Sequence, residues 1–230
     1  DFGRHGLFMR LMARHVGLEA LRGARVVELG GASSRFLVDL ARHAGARITA
    51  VDYSRVGIAQ TERLFREEGV DGDAVFADMF AWDGGGEPFD AVMHFGLLEH
   101  FDDPREVLAL SARLARPGGH VVFTMPNLAA LGASLWARYA PENFSHHVLH
   151  RDEAVRAACE AAGLRLERVF HAGPPLVRMA PLERGGLVPR LAVNGAHALL
   201  CAVGTAAPGL YARGHARLSG TRGFVARRVA

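Results

Sequence analysis

Short runs of β-branched and apolar residues alternate along this chain with longer stretches in which apolar positions recur every three to four residues. Residues 25–29, 47–51, 73–77, 89–94, 120–124 and 164–170 read as six strands, and 223–229 as a closing seventh. Between them, 34–44 is helical and stops at Gly45, and 54–68 is helical with Ser54 as its N-cap. Asp103-Pro104 opens a third helix, with Asp as cap and Pro at the first helical position, and Pro117-Gly118-Gly119 ends it. Residues 128–139 and 151–162 complete the helical set. Two outlying segments carry a weaker pattern. Residues 2–16 form an amphipathic stretch placed to cover a site. Residues 187–203 are apolar but broken by Arg190, Asn194 and His197, which predicts a packed amphipathic helix rather than a membrane-surface element.

Strand–helix alternation of this length predicts right-handed crossovers, hence an α/β fold whose parallel sheet is covered by helices on both faces. Ligands in such sheets bind at the carboxyl ends of the strands, so the residues just after each strand carry the functional signal. A single domain is expected over residues 1–230: an N-terminal helical cover (1–22), a ligand-binding core (24–125), a substrate-covering insertion (126–150) and a C-terminal part (151–230).

Composition narrows the chemistry. All 27 basic residues are arginine, which excludes a P-loop lysine, a Schiff-base lysine and a Tyr-x-x-x-Lys pair. Cys159 and Cys201 cannot build a disulfide framework or a Cys-rich zinc site. No run of 18 apolar residues goes uninterrupted and no segment reads as a signal peptide, so a cytoplasmic protein is expected. Charge is uneven: 19 Arg against 23 acids up to Gly173 gives −4, and eight Arg against Glu183 alone from Pro174 onward gives +7. The basic stretch (Arg213, Arg217, Arg222, Arg227, Arg228) reads as a solvated surface. Docking of an anionic partner or a membrane surface is less favoured, and nucleic acid is not expected, because no base-stacking motif accompanies the charge.

The first strand ends in Glu28-Leu29-Gly30-Gly31-Ala32-Ser33-Ser34, a turn of small residues feeding a helix N-terminus. Twenty-two residues after Gly30, Asp52 ends the second strand, where a carboxylate accepts both hydroxyl hydrogens of a ribose. Together they indicate a nucleoside-containing cofactor. The Gly-x-Gly-x-x-Gly fingerprint of nicotinamide enzymes is represented only by its first glycine. Asp78 follows the third strand, placed to hold an adenine amino group, with Met79 or Phe80 against the ring.

With these residues the chain resembles a class I S-adenosylmethionine (SAM)-dependent methyltransferase over residues 24–170. Glu28, Gly30, Ala32 and Ser34 match the family's first motif, Asp52 its ribose ligand and Asp78 its adenine-side acid. Residues 89–101 match its fourth-strand motif and Pro117-Gly118-Gly119 the turn before strand five. Ala32 and Ser34 stand where the family usually has glycine. The resemblance implies a Rossmann-like, doubly wound, mostly parallel seven-stranded sheet. It also implies SAM as cofactor, S-adenosylhomocysteine (SAH) as product, and Glu28, Gly30, Gly31, Ala32, Ser34, Asp52, Tyr53, Asp78, Met79, Phe80, His94, Phe95 and Gly96 around the cofactor. Methyl transfer is then an SN2 step in which the enzyme aligns the nucleophile, excludes water and supplies a base, for which histidine is best suited.

His94-Phe95-Gly96 at the strand-four exit read either as cofactor or substrate contacts or as core. His100 and Glu99 read as structural. In the insertion, His147 is the first candidate for base or substrate contact and His146 the second, against a loop histidine bonding a carbonyl. No metal is expected, since nothing beside His146, His147 and His150 supplies ligand spacing. Without Asn/Asp-Pro-Pro-Tyr after strand four or a paired-glutamate loop, the expected acceptor is a small molecule, an O or N nucleophile on a bacterial secondary metabolite or precursor, handled by a monomer or homodimer. Two rivals stay open: a SAM-fold binding module without catalysis, and a nicotinamide-dependent oxidoreductase.

Overall fold

Local chemistry fixes the element ends. Ser34 caps α1 (Arg35–Ala44), its Oγ accepting from Leu37 N, and left-handed Gly45 closes it. Ser54 does the same for α2 (Arg55–Glu68), accepting from Gly57 N at 3.0 Å. Asp103 caps α3 (Pro104–Leu114) with proline at its first turn. The strands are β1 (Arg25–Leu29), β2 (Arg47–Asp52), β3 (Gly72–Phe76), β4 (Phe89–Phe95), β5 (Ala115–Pro126), β6 (Leu164–Ala172) and β7 (Thr221–Arg228). In this computed structural model residues 13–175, 186–207, 209 and 214–229 are described.

The strands form one seven-stranded sheet in the order β3-β2-β1-β4-β5-β7-β6. All pairings are parallel except those of β7, which runs antiparallel to both β5 and β6. Period-two alternation divides the apolar residues between two faces. Val26, Met93, Val122 and Val225 join Phe36, Leu37 and Leu40 of α1 and Phe65 of α2. Val27, Val92, Val121 and Phe123 join Val107 and Leu108 of α3 and Val155 of α6 (Asp152–Ala161). The predicted doubly wound sheet is therefore present, with its switch point between β1 and β4, where a ligand cleft is expected at the carboxyl ends.

The structure corrects three expectations, and a fourth falls largely outside the described residues. The third helix ends at Leu114, not at the Pro-Gly-Gly turn, because Ala115 already pairs with Phe89; Pro117–Gly119 lie within β5, beside a register shift between Phe89 and Ala91. Residues 1–12 of the expected N-terminal helix lie outside the described residues. Next to them, Ala13–Gly17 form a π turn and Leu18–Leu21 a 3-10 turn.

The apolar segment near the C-terminus is helical, α7 (Leu187–Ala206), but it is not packed as expected: Leu187, Leu191 and Leu199 are 64–68% exposed, while Val193 packs against the Trp136–Ala140 cluster. Asn194 and His197, three residues apart and so on one side of the helix, are half-buried, whereas the side that carries these leucines is exposed. Finally, the basic C-terminal residues are not all solvated. Arg222 is buried and pairs with Asp152 at 2.9 Å, Arg227 pairs with Glu167 at 2.9 Å, and Arg228 donates to Ala115 O at 2.5 Å.

The insertion after β5 contains α4 (Leu131–Tyr139) and α5 (Pro141–Ser145). Asn127 anchors its start, donating from Nδ2 to Ala216 O and Ser219 O at 2.7 and 2.9 Å. His150 anchors its end, with Nε2 donating to Phe101 O at 3.0 Å and Leu98 O at 3.3 Å. Among the described residues, no helix is long and apolar enough to cross a membrane.

Candidate active site

The turn after β1 is built for close backbone approach. Gly30 sits at φ +68°, and a Cβ on Gly31 would come within 2.8 Å of Glu28 O. Both amides donate to Val51 O, at 2.9 and 3.2 Å, locking the turn to the end of β2. Ser33 is the only non-glycine at positive φ among the described residues. Its amide donates to Thr61 Oγ1 at 2.7 Å, so α2 holds the strained residue in place.

The two departures from glycine have partners. Ala32 N donates to Asp52 Oδ2 at 3.3 Å, and its methyl lies so close to α2 that a Cβ at Gly57 would be 2.6 Å away. Ser34 Oγ donates to the buried carboxyl of Glu28 at 2.5 Å. Burial pushes that carboxyl up to about 7, with the Ser34 bond opposing the rise. Glu28 thus lies beneath the turn rather than in the cavity.

Above the turn is a cavity of about 370 Å³, lined by Gly30, Asp52, Tyr53, Asp78, Met79, Phe80, Leu97 and Phe101 among others. Its position at the carboxyl ends of β1, β2 and β4 is the one the topology predicts. Asp52 reaches the wall at the tip of β2, oriented by Ser54 N, which donates to Oδ1 at 2.8 Å. Asp78 accepts from Phe80 N at 2.9 Å, a turn that directs Phe80 against Phe101, ring centroids 5.7 Å apart. Among the residues expected around a cofactor, Gly30, Asp52, Tyr53, Asp78, Met79 and Phe80 line one cavity. Gly31, Ala32 and Ser34 form the turn at its floor. The sequence missed Leu97 and Phe101, ordinary apolar residues whose place depends on the turn after β4. A larger cleft of about 530 Å³ lies at the opposite edge, at the amino ends of β1, β2 and β3.

The strand-four residues separate. Phe95 meets Phe36 edge-on at 4.9 Å, on the α1 face. Gly96, at φ +68°, donates to Thr124 O at 2.9 Å. His94 is 0% exposed, stacks on Phe123 at 5.0 Å, and has no hydrogen-bond partner on either ring nitrogen. Burial pulls it down to about 3, so the ring is neutral. In this position it is core and meets neither cavity nor solvent, which removes it from the catalytic candidates.

Beside the cavity, the 3-10 turn Leu98–His100 and the end of the insertion come together, joined by Val148 N donating to Glu99 O at 2.7 Å. His147 is half-buried, its ring edge-on to Trp136 at 4.6 Å and 4.8 Å from the His100 ring. Its Nδ1 donates to Asn143 O at 2.8 Å, which leaves Nε2 with the lone pair. Burial holds its pKa below the usual value, and the nearby His100 adds to the depression. His146 is exposed, and its carbonyl accepts from His100 Nδ1 at 3.2 Å. Glu99, Leu98's neighbour in the turn, is buried, and burial pushes its carboxyl up to about 7.

A family model described as a methyltransferase domain matches residues 4–169. The ubiquinone biosynthesis O-methyltransferase of Aromatoleum aromaticum is 32% identical over 154 residues, 63% of this chain and 65% of that protein. That of Xanthomonas axonopodis pv. citri is 34% identical over 160 residues, 64% and 65% of the two chains. The match thus spans less than two thirds of the length of these relatives. Among solved structures, the geranyl diphosphate C-methyltransferase of Streptomyces coelicolor superposes with a TM-score of 0.63 at 17% identity, covering 96% of this chain and 78% of that one. That likeness is one of fold.

Proposed function

Because the chain belongs to the class I SAM-dependent methyltransferase family, we propose that it transfers a methyl group from SAM to a hydroxyl of a small molecule held between the cofactor cavity and the 126–150 insertion. One observation carries this reading: Asp52, Asp78, Met79 and Phe80, each placed at or just after a strand end, line one cavity over the Gly30-Gly31 turn. The donor set suits the cofactor. A carboxylate at the tip of β2 accepts from a ribose diol, apolar walls take an adenine face, and the close turn leaves room for backbone approach. SAM, when bound, would supply a sulfonium-activated methyl group, its bond to sulfur breaking as the acceptor oxygen attacks, with SAH as the leaving group.

The chain's own part is placement and exclusion of water. Leu97 and Phe101 close the cavity on the side of the insertion. The insertion is clamped at both ends by Asn127 and His150, so its short helices roof a fixed space. There, the half-buried His147 ring, with the lone pair on Nε2, is the group that meets an acceptor. The oxygen acceptor is favoured by the O-methyltransferase relatives.

Calorimetric titration with SAM and SAH, with NAD(H) and NADP(H) as controls, tests the reading. Micromolar binding of the first pair alone is expected. Binding of a nicotinamide cofactor instead, or of neither, would overturn it.

A further inference from the structure

Glu99, His100 and His147 form a group that neither the cofactor cavity nor the sequence pattern accounts for. One ring nitrogen of each histidine and one carboxylate oxygen of Glu99 lie within 4.8 Å of one another. The residues come from two segments, the turn after β4 and the end of the insertion, held in register by the Val148–Glu99 backbone bond.

Three features suit this group to a cation. Glu99 is 2% exposed, and its Oε2 has no hydrogen-bond partner; a buried carboxylate oxygen without a partner is costly unless something satisfies it. On both histidines Nδ1 is engaged with a backbone carbonyl, His146 O for His100 and Asn143 O for His147. That is the outer-sphere bond that fixes the tautomer of a metal-ligating imidazole and turns the Nε2 lone pair outward. Packing edge-on against Trp136, with ring centroids 4.6 Å apart, also holds the His147 ring in place.

We propose that Glu99, His100 and His147 bind one divalent first-row transition-metal ion of the Zn²⁺ type, leaving a coordination position open toward the acceptor space. Two imidazoles and one carboxylate are a borderline donor set. It matches Zn²⁺ and its transition-metal neighbours, and not Mg²⁺ or Ca²⁺, which take oxygen ligands. Tetrahedral coordination with bonds of about 2.1 Å places ligand atoms about 3.4 Å apart, so the three must draw together modestly. His100 is exposed and His147 only half-buried, so side-chain rotation supplies that movement. Three protein ligands with a fourth place open is the arrangement of a site that presents an ion to a small molecule. On the methyl-transfer reading, that molecule is the acceptor, coordinated through its hydroxyl oxygen; the bonded proton leaves to solvent as the oxygen is polarised. Metal binding itself does not depend on that reading.

The test uses the whole protein, stripped with a chelator and titrated with Zn²⁺ by calorimetry and with Co²⁺ by its visible spectrum. One saturable site is expected. His100→Gln and His147→Gln should each weaken Zn²⁺ at least about tenfold, since even outer-sphere changes at metal sites cost ten- to a hundredfold. His43→Gln, distant on α1, should leave the titration unchanged. SAH binding by each variant reports the intact fold, and the exposed His100→Gln carries the test alone if His147→Gln is unfolded. Absence of a saturable site, wild-type affinity in His100→Gln, or Mg²⁺ binding as tight as Zn²⁺ would overturn the proposal. SAH binding without Zn²⁺ binding sinks the metal site only. Zn²⁺ binding without SAH binding sinks the methyl-transfer reading only.

Discussion

Ser34 holds the buried carboxyl of Glu28 through a 2.5 Å hydrogen bond while its own Oγ accepts from Leu37 N at the start of α1. One hydroxyl therefore joins the floor of the cofactor turn to the helix beyond it. A glycine at position 34, the residue usual in the family's motif, could do neither. Ser34→Ala is expected to destabilise the fold by about 1–3 kcal/mol, the scale of a lost bond to a buried polar group together with a helix cap. Urea denaturation checks it. A change within experimental error would show that the Glu28 carboxyl finds another partner.

Glu28 should also leave a mark on the pH dependence of stability. Its folded value of about 7 lies above the ordinary 4.5, so between those values the folded state binds more protons than the unfolded one. Stability from this group is then fully present below pH 4.5, declines as pH rises toward 7, and is level above it. The total is about 3 kcal/mol at ~1.4 kcal/mol per unit. Glu28→Gln should remove that decline and be more stable than the parent at pH 8, as read from urea midpoints at pH 5 and 8.

His94 has the opposite sign. Its folded value of about 3 lies below 6.5, so the unfolded state takes up a proton first, and stability is lost as pH falls from 6.5 toward 3. At pH 5 this amounts to about 2 kcal/mol. His94→Phe keeps the stack on Phe123 and removes two unpartnered nitrogens. It should raise the melting temperature, by more at pH 5 than at pH 8, and leave SAH affinity intact. A fall in SAH affinity would instead return His94 to the cofactor site.

Asp52→Ala should weaken SAH binding by about 1–3 kcal/mol, the worth of hydrogen bonds to a charged acceptor. Part of that loss will come from the turn itself, since Asp52 also accepts from Ala32 N and Ser54 N. Asp52→Asn separates the two: it keeps one acceptor oxygen and lacks the charge, so an intermediate affinity is expected by calorimetry. Unchanged binding in both variants would remove Asp52 from the cofactor.

Much of this architecture was legible because strand ends and helix caps are local. Ser54, Asp103-Pro104 and Gly45 announce element boundaries from a few residues of context, and Asp52 and Asp78 stand at or just beyond the ends of the strands that carry them. The features that were not legible depend on tertiary contact. His100 and the segment it meets at His146 are 46 residues apart in sequence, so no ligand spacing connects Glu99-His100 with His147. Ala32 meets Gly57, and Ser33 N bonds to Thr61, both on α2 beyond α1, so the departure from glycine at position 32 is visible in the sequence but not how it is accommodated. His94 belongs to a motif that suggests chemistry, yet the pleat turns its ring onto Phe123. Arg222 read as surface charge because its neighbours are basic, although its register in β7 carries it inward to Asp152.

The placement of β7 has a consequence for how the chain reaches this state. Among the described residues β6 pairs with no strand other than β7, and β7 is made only after residues 173–220. During synthesis, the half-sheet from β3 to β5 can assemble while β6 waits as an unpaired edge. Its closure is a long-range event, slow relative to the local pairings that precede it. Until then, the outer edge of β5 and both edges of β6 are open to pairing with other chains. Shortage of chaperones during expression should therefore lead to aggregates with β6 and β5 exposed and β1 through β4 already folded.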